Sequence, residues 1–277
     1  MNKILIPTDF SEIAQNTLDY TVGLAQYTFA ELILFHACYQ PVFANDLTVS
    51  TGFYEQLEED CKTKLEELKQ KVLEKNPDLR VSWKYQIGLP ADAINEFARE
   101  QNIDLIVMGT QGAGYLAEHM LGSIATTLLR EAVCPVLIID RGVKFRPLNK
   151  IVIAVDYKDR INEEALKPLK NFMTNFDAHL YVLHITSEEK TEAELYASLP
   201  HSEFNEAFKF YNHSIIASPD DNVINGINDF VAVQEADMVV MIPRKHAFFE
   251  RIFRESEVKK MTFRSKVPLL VLHDNNL

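Results

Sequence analysis

No stretch of the 277-residue sequence is apolar over anything near the roughly 20 residues that a membrane-spanning helix needs, so no membrane role is expected. Positive charge is also in short supply. Against 40 aspartates and glutamates stand 28 lysines and arginines, and the net charge of −12 opposes binding to nucleic acid or to an anionic membrane surface. Cysteine is scarce: Cys38, Cys61 and Cys134 are widely spaced and form no Cys-x-x-Cys pair, so neither zinc nor thioredoxin-like chemistry is signalled and no metal site is expected. They read as free thiols, Cys134 beside Pro135 as a small buried hydrophobe. The opening run Met1 to Asp9 is too short and too soon acidic for a signal peptide, and a cytoplasmic protein is expected.

Glycine is rare as well, and its distribution is uneven. Of nine glycines, four (Gly109, Gly112, Gly114 and Gly122) fall in one stretch, while Gly226 alone lies beyond residue 143. That stretch follows the apolar run Leu105 to Met108 and precedes the helical periodicity of Ile124 to Val133, so it reads as strand, glycine loop, helix. Glycine admits positive φ and close approach of a ligand to the backbone, and Ser123 at a helix start leaves main-chain N–H groups for an anion. The loop is either a phosphate cradle or a tight strand-to-helix connection.

The chain exceeds the usual domain size of about 100 to 150 residues, which predicts two domains. Along the first half, strands are expected at 3–8, 31–36, 80–87, 104–108 and 135–140. Helices are expected after Asp9, over 54–75, over 92–101 and from 124. Gly88-Leu-Pro90 is read as a turn, and the loop from Pro41 to Gly52 as a lid by position. Strands alternating with helices imply βαβ units and a mostly parallel sheet. The pattern then begins again. Lys150-Ile-Val-Ile-Ala-Val-Asp156 repeats Lys3 to Asp9, Leu180 to His184 repeats Leu32 to His36, Ala236 to Met241 repeats Ile103 to Met108, and Val267 to Leu272 repeats Cys134 to Ile139. A duplicated domain is expected, occupying 1–141 and 149–277, with Arg141 to Asn149 as a linker too short to let the halves drift apart.

In the second copy Ile242, Lys245 and Glu255 replace Gly109, Gly112 and Gly122. A branched side chain, a long cation and a repelling carboxylate then stand where backbone would meet phosphate, so this copy is expected to keep the fold and lose the site. Its cluster of Arg244, Lys245, His246, Arg251 and Arg254 among Phe248, Phe249 and Phe253 is either a solvated face over core aromatics or a site for an acidic ligand or a protein partner.

The spacing Gly109-x2-Gly112-x9-Gly122-Ser123 resembles the nucleotide signature of the universal stress protein family. So do the opening Pro7-Thr8-Asp9-Phe10-Ser11, the Gly-x-Pro turn and the proline-led last strand, and the duplication points to tandem two-domain members. The resemblance implies two Rossmann-like α/β domains, each a five-stranded parallel sheet of order 3-2-1-4-5 with helices on both faces. It implies ATP, or else AMP or ADP, in the first domain, with magnesium able to accompany the phosphates. Asp9 would hold the ribose or adenine end with the backbone of Pro7 and Thr8 beside it. Ala37 and Cys38 would read the adenine through backbone groups, Met108 and Gly109 would form the floor, Gly112 and Gly122 would flank the phosphates, and Ser123 with the Ile124 amide would donate to them. Family members pair their last strands, which implies an internal pseudo-dimer through Val136–Ile139 and Leu269–Leu272 and leaves homodimers open.

Asp9 fits a helix cap as well as a ligand contact, and Asp156 keeps an acid where the glycines are gone. His36 and His184, at matching strand ends, fit structural hydrogen bonds better than catalysis, and His119 within the loop could approach phosphate. Phosphoryl transfer needs a positioned cation and a base. The Walker pattern is absent and no lysine or arginine lies between Gly109 and Ser123, so no catalytic residue is named and binding is favoured over turnover. Two readings stand beside a nucleotide-binding regulatory stress protein: an adenylating or slowly ATP-hydrolysing enzyme, and an interaction module without nucleotide.

Overall fold

A computed structural model describes residues 1–38, 51–110, 121–155, 162–186, 206–242 and 267–273, with 51–54 described as backbone alone. In the first half β1 (Lys3–Pro7), α1 (Glu12–Thr28), β2 (Glu31–Cys38), α2 (Thr51–Lys75), β3 (Val81–Ile87), α3 (Pro90–Glu100), β4 (Leu105–Gly109), α4 (Ser123–Glu131) and β5 (Val136–Ile139) follow in turn. The second half contributes β6 (Lys150–Ala154), α5 (Glu163–Phe176), β7 (His179–Thr186), β8 (His213–Pro219), α6 (Val223–Gln234), β9 (Met238–Met241) and β10 (Leu269–Val271). β8 is the third strand that a five-stranded second half implies, but the sequence pattern assigns it no range. Six of its residues are half-buried and Pro219 is exposed, and its apolar run is only Ile215-Ile216-Ala217.

The ten strands of the described residues form one sheet of order β3-β2-β1-β4-β5-β10-β9-β6-β7-β8. Each half therefore has the order 3-2-1-4-5, and pairing within each half is parallel. The halves meet in antiparallel pairing of β5 and β10, with Ile138 opposite Leu269, Leu137 opposite Leu270 and Val136 opposite Val271. This is the last-strand contact that the duplication implied. Because a strand's side chains alternate, Ile4 and Ile6 join one apolar layer and Leu5 the other. Helices cover both faces, which is why the inner strands are continuously apolar rather than alternating. Each layer contains buried residues from both halves, so the two cores are continuous across the β5–β10 junction.

The duplication extends to polar detail. The Asp104 carboxylate accepts from the amides of Asn2 at 2.6 Å and Lys3 at 3.0 Å, tying the start of β4 to that of β1. Asp237 does the same with Asn149 at 2.7 Å and Lys150 at 3.0 Å. In both halves the lysine ammonium then reaches a carbonyl of the preceding helix end, Gln101 or Gln234.

Residues 141–149 are pinned rather than loose. The ring of Phe145 sits 5.4 Å from Tyr20, 5.5 Å from Tyr27 and 6.2 Å from Phe176, between α1 and α5. Gly23 makes room for it: a Cβ there would lie 2.4 Å from the Phe145 ring.

Two helix starts differ from expectation. Pro90 is the first residue of α3 rather than part of a turn, because its missing N–H is no loss there and its fixed φ suits a helix. The cap of α4 is Gly122, not Ser123, which is the first helical residue and exposed. Gly122 has φ −66° and ψ 154°, an ordinary extended conformation, so positive φ is not what requires a glycine there. The expected lid up to residue 50, the middle of the glycine loop with Gly112 and His119, Asp156, and the altered loop beyond Ile242 with its basic cluster lie outside the described residues, while Thr51 and Gly52 already belong to α2.

Candidate functional site

Three strand ends converge at the carboxyl edge of the first half's sheet. β1 pairs with β2 on one side and β4 on the other, so chain leaving β1 and chain leaving β4 turn to opposite faces. Open α/β sheets take ligands in the crevice that such a divergence leaves. Pro7 ends β1, Thr8 follows it and is buried, and Asp9 is exposed beyond. Ala37 and Cys38 end β2, and Met108 and Gly109 end β4. Gly122, Ser123 and Ile124 lie at the start of α4. Of the expected site residues, Gly112 alone is outside the described residues.

Local hydrogen bonds set these groups. The Thr8 amide donates to the Phe35 carbonyl at 2.8 Å, prolonging the β1–β2 ladder by one residue. The Thr8 hydroxyl accepts from the Phe10 amide at 3.1 Å, and the Asp9 carboxylate accepts from the Ser11 amide at 3.0 Å. Phe10 adopts φ 63° in this turn. Ser11 is the actual cap of α1, accepting from the Ala14 amide at 3.2 Å. Asp9 is thus not the cap; its carboxylate braces the turn one step earlier.

On the β4 side, the Gly122 amide donates to the Thr110 carbonyl at 2.8 Å. The Thr110 hydroxyl donates to the Asp140 carboxylate at 3.1 Å, just past β5. These bonds hold the start of α4 against the end of β4. The Gly122 carbonyl accepts from the Thr126 amide at 2.9 Å and from the Thr126 hydroxyl at 3.0 Å. No side chain caps this helix, and helix geometry leaves the Ser123, Ile124 and Ala125 amides without intrahelical acceptors. Those dipoles favour an anion.

His36 and His184 take structural roles. His36 Nδ1 lies 2.7 Å from the Thr8 carbonyl, and His184 Nδ1 lies 3.1 Å from the equivalent Val155 carbonyl.

What widely spaced cysteines concealed is a pair. Cys38, at the end of β2, donates its thiol to Cys61 on α2, with the sulfurs 3.2 Å apart though 23 positions separate them in the chain. Burial, the bond to Cys61 and the nearby Glu58 charge push the Cys38 thiol up to about 12. The sequence did carry a clue: Cys61 stands in the apolar stripe of α2 with Leu57, Leu65 and Leu68, and a crossover helix lays that stripe on the strand it leaves. Cys134 is buried as expected, and burial pushes its thiol up to about 12.

Two cavities bounded by described residues lie elsewhere. One of about 700 Å³ is an open cleft lined by residues of the 142–150 segment and others including Tyr20, Glu235 and Asp237. Another of about 260 Å³ lies between α1 and α2, touches Thr8, and includes Lys64 and Lys71 in its wall. Among the described residues, no helix is long and apolar enough to cross a membrane.

A doubly wound sheet of this order, with a glycine-bounded loop at its strand divergence, defines a Rossmann-like α/β protein in two tandem copies. The universal stress protein family model matches residues 1–140, and the chain belongs to that family. YxiE, a universal stress protein of Bacillus subtilis, is 33% identical over 147 residues, which span 50% of this chain and 98% of the relative. The universal stress protein MJ0531 of Methanocaldococcus jannaschii is 32% identical over 148 residues, 51% of this chain and 84% of the relative. The crystal structure of a universal stress protein from Archaeoglobus fulgidus covers 99% of this chain and 97% of its own with a TM-score of 0.73 and 19% identity, a likeness of fold across both halves.

Proposed function

We propose that the chain is a regulatory stress-response factor that binds one adenine nucleotide, ATP in the first instance, at the carboxyl edge of the first half's sheet. The observation that carries this is the bond from the Gly122 amide to the Thr110 carbonyl. It sets three amides of α4 that have no intrahelical acceptor beside the end of β4, a fitting place for phosphate. Gly109 and Gly122 carry no Cβ, which leaves their backbone open to close approach by the phosphates. The resemblance of Gly109, Gly112, Gly122 and Ser123 to the family signature supports the same reading.

In this reading the Ser123 hydroxyl and the Ile124 amide donate to phosphate oxygens, and Asp9 accepts from the ribose. Backbone groups of Ala37 and Cys38 meet the adenine edge, with Pro7 and Thr8 beside it and Met108 beneath. Magnesium accompanies the phosphates without protein ligands of its own. Backbone dipoles and one hydroxyl suit binding, and at most slow hydrolysis follows, so occupancy acts by biasing conformation or partner choice. Domains at 1–141 and 149–277, a cytoplasmic location and a second half without nucleotide belong to the same proposal.

Isothermal titration with ATP and magnesium tests it. The natural chain is expected to bind, and Gly122→Glu to abolish binding while the circular dichroism spectrum is unchanged. Retained affinity in Gly122→Glu, or no heat from the natural chain, would overturn it.

A further inference from the structure

The β2 end carries a second grouping, distinct in chemistry from a nucleotide cradle. A ring nitrogen of His36 and the sulfurs of Cys38 and Cys61 all lie within 4.8 Å of one another. The histidine is already oriented: a carbonyl can only accept, so Nδ1, 2.7 Å from the Thr8 oxygen, carries the proton. Nε2 then holds the lone pair, and such a backbone tether is how metal-binding imidazoles have tautomer and ring position fixed. The sulfurs at 3.2 Å need to separate only modestly, since two thiolates on one tetrahedral ion sit roughly 3.8 Å apart given metal–sulfur bonds of about 2.3 Å.

We propose that His36, Cys38 and Cys61 bind one thiophilic d10 cation, Zn(II) or Cu(I), between the end of β2 and the face of α2. Two thiolates and an imidazole are the soft donor set these ions select, and with Zn(II) they give a neutral centre suited to a half-buried place. On binding, two metal–sulfur bonds form as two S–H protons leave to solvent. The remaining coordination position is open to water.

The second half supplies a contrast within the chain. His184 repeats the carbonyl contact of His36, but Thr186 occupies the position matching Cys38 in the β2 and β7 registers. Histidine alone therefore satisfies the fold, and the two sulfurs are what the first half adds. The proposal stands apart from the nucleotide reading, because it uses the thiol of Cys38 and not its backbone.

The test is titration of the reduced, metal-free full chain with Zn(II), and separately with Cu(I), each against a chromophoric chelator. One equivalent of at least one ion is expected to bind with a Kd below about 1 µM. Cys61→Ser is expected to weaken it at least tenfold, and Cys134→Ser to leave it unchanged. Co(II) in the natural chain is expected to show near-ultraviolet thiolate-to-metal charge transfer, a readout that stands even if Cys61→Ser folds poorly. A reduced chain that takes up neither ion, that binds equally well as Cys61→Ser, or that binds Zn(II) yet gives Co(II) no thiolate band would overturn the site. So would a Cys38–Cys61 pair whose sole chemistry is disulfide formation in air.

Discussion

Glu66 illustrates how a single half-buried carboxylate can report on a whole contact. Trp83 donates its indole N–H to Glu66 at 2.5 Å, Gln70 donates at 2.6 Å and Lys69 at 3.3 Å, and these bonds pull the carboxyl from 4.5 down to about 2. A depressed acid stabilises the folded state above its unfolded value, and that contribution is lost as pH falls from 4.5 towards 2. Trp83 is the sole tryptophan, so its emission should shift across that window as the bond to α2 weakens, and Glu66→Gln should flatten the change. An identical acid profile in Glu66→Gln would contradict the assignment. At this scale the sequence was readable where chemistry is local. The strand-end histidines hydrogen-bonded to carbonyls follow from their position alone. The role of cap at α1 and α4 was misplaced by a residue or two, because Asp9, Ser11, Gly122 and Ser123 all suit a helix start and only backbone angles choose among them. The approach of Cys38 to Cys61 needed the α2 crossover, which local spacing does not contain.

At the level of elements, Gly23 and Phe145 set how α1, α5 and the 141–149 segment meet. Alanine in a helix interior ordinarily stabilises by about 1 kcal/mol over glycine. Here the added Cβ would lie 2.4 Å from Cδ1 and 2.9 Å from Cβ of Phe145, so the whole side chain must leave its place between Tyr20 and Tyr27. Gly23→Ala is therefore expected to destabilise by about 1 to 3 kcal/mol, the usual cost of overpacking. In a Phe145→Ala background the same change should be neutral or stabilising, a coupling that a double-mutant cycle by urea denaturation measures. Additive effects would show that the ring does not depend on Gly23. Elements with apolar runs or clear periodicity were legible in order and type. β8 was not, since its apolar run is only Ile215-Ile216-Ala217 and its half-buried place at the sheet's outer edge follows from topology rather than propensity. Pro90 misled because proline marks turns and first helical positions alike.

At the scale of the whole molecule, the β5–β10 pairing makes one sheet of two copies and covers two apolar edges that would otherwise invite association. Leu270 is fully buried there, opposite Leu137. Leu270→Ala is expected to cost about 2 to 5 kcal/mol in urea denaturation. Since both apolar layers run through the junction, that loss should appear in a single unfolding transition; two separated transitions in the natural chain would contradict a shared core. The duplication was legible because matching apolar runs recur with their flanking residues intact, Asp104 and Asp237 among them, whereas the order 3-2-1-4-5 came from the family resemblance and not from the runs. The asymmetry of the two copies is the central claim. A native mass spectrum of the full chain with saturating ATP and magnesium tests it most directly: one adduct per chain, lost in Gly122→Glu, is predicted, whereas two adducts, or none, would contradict a single nucleotide site in the first half.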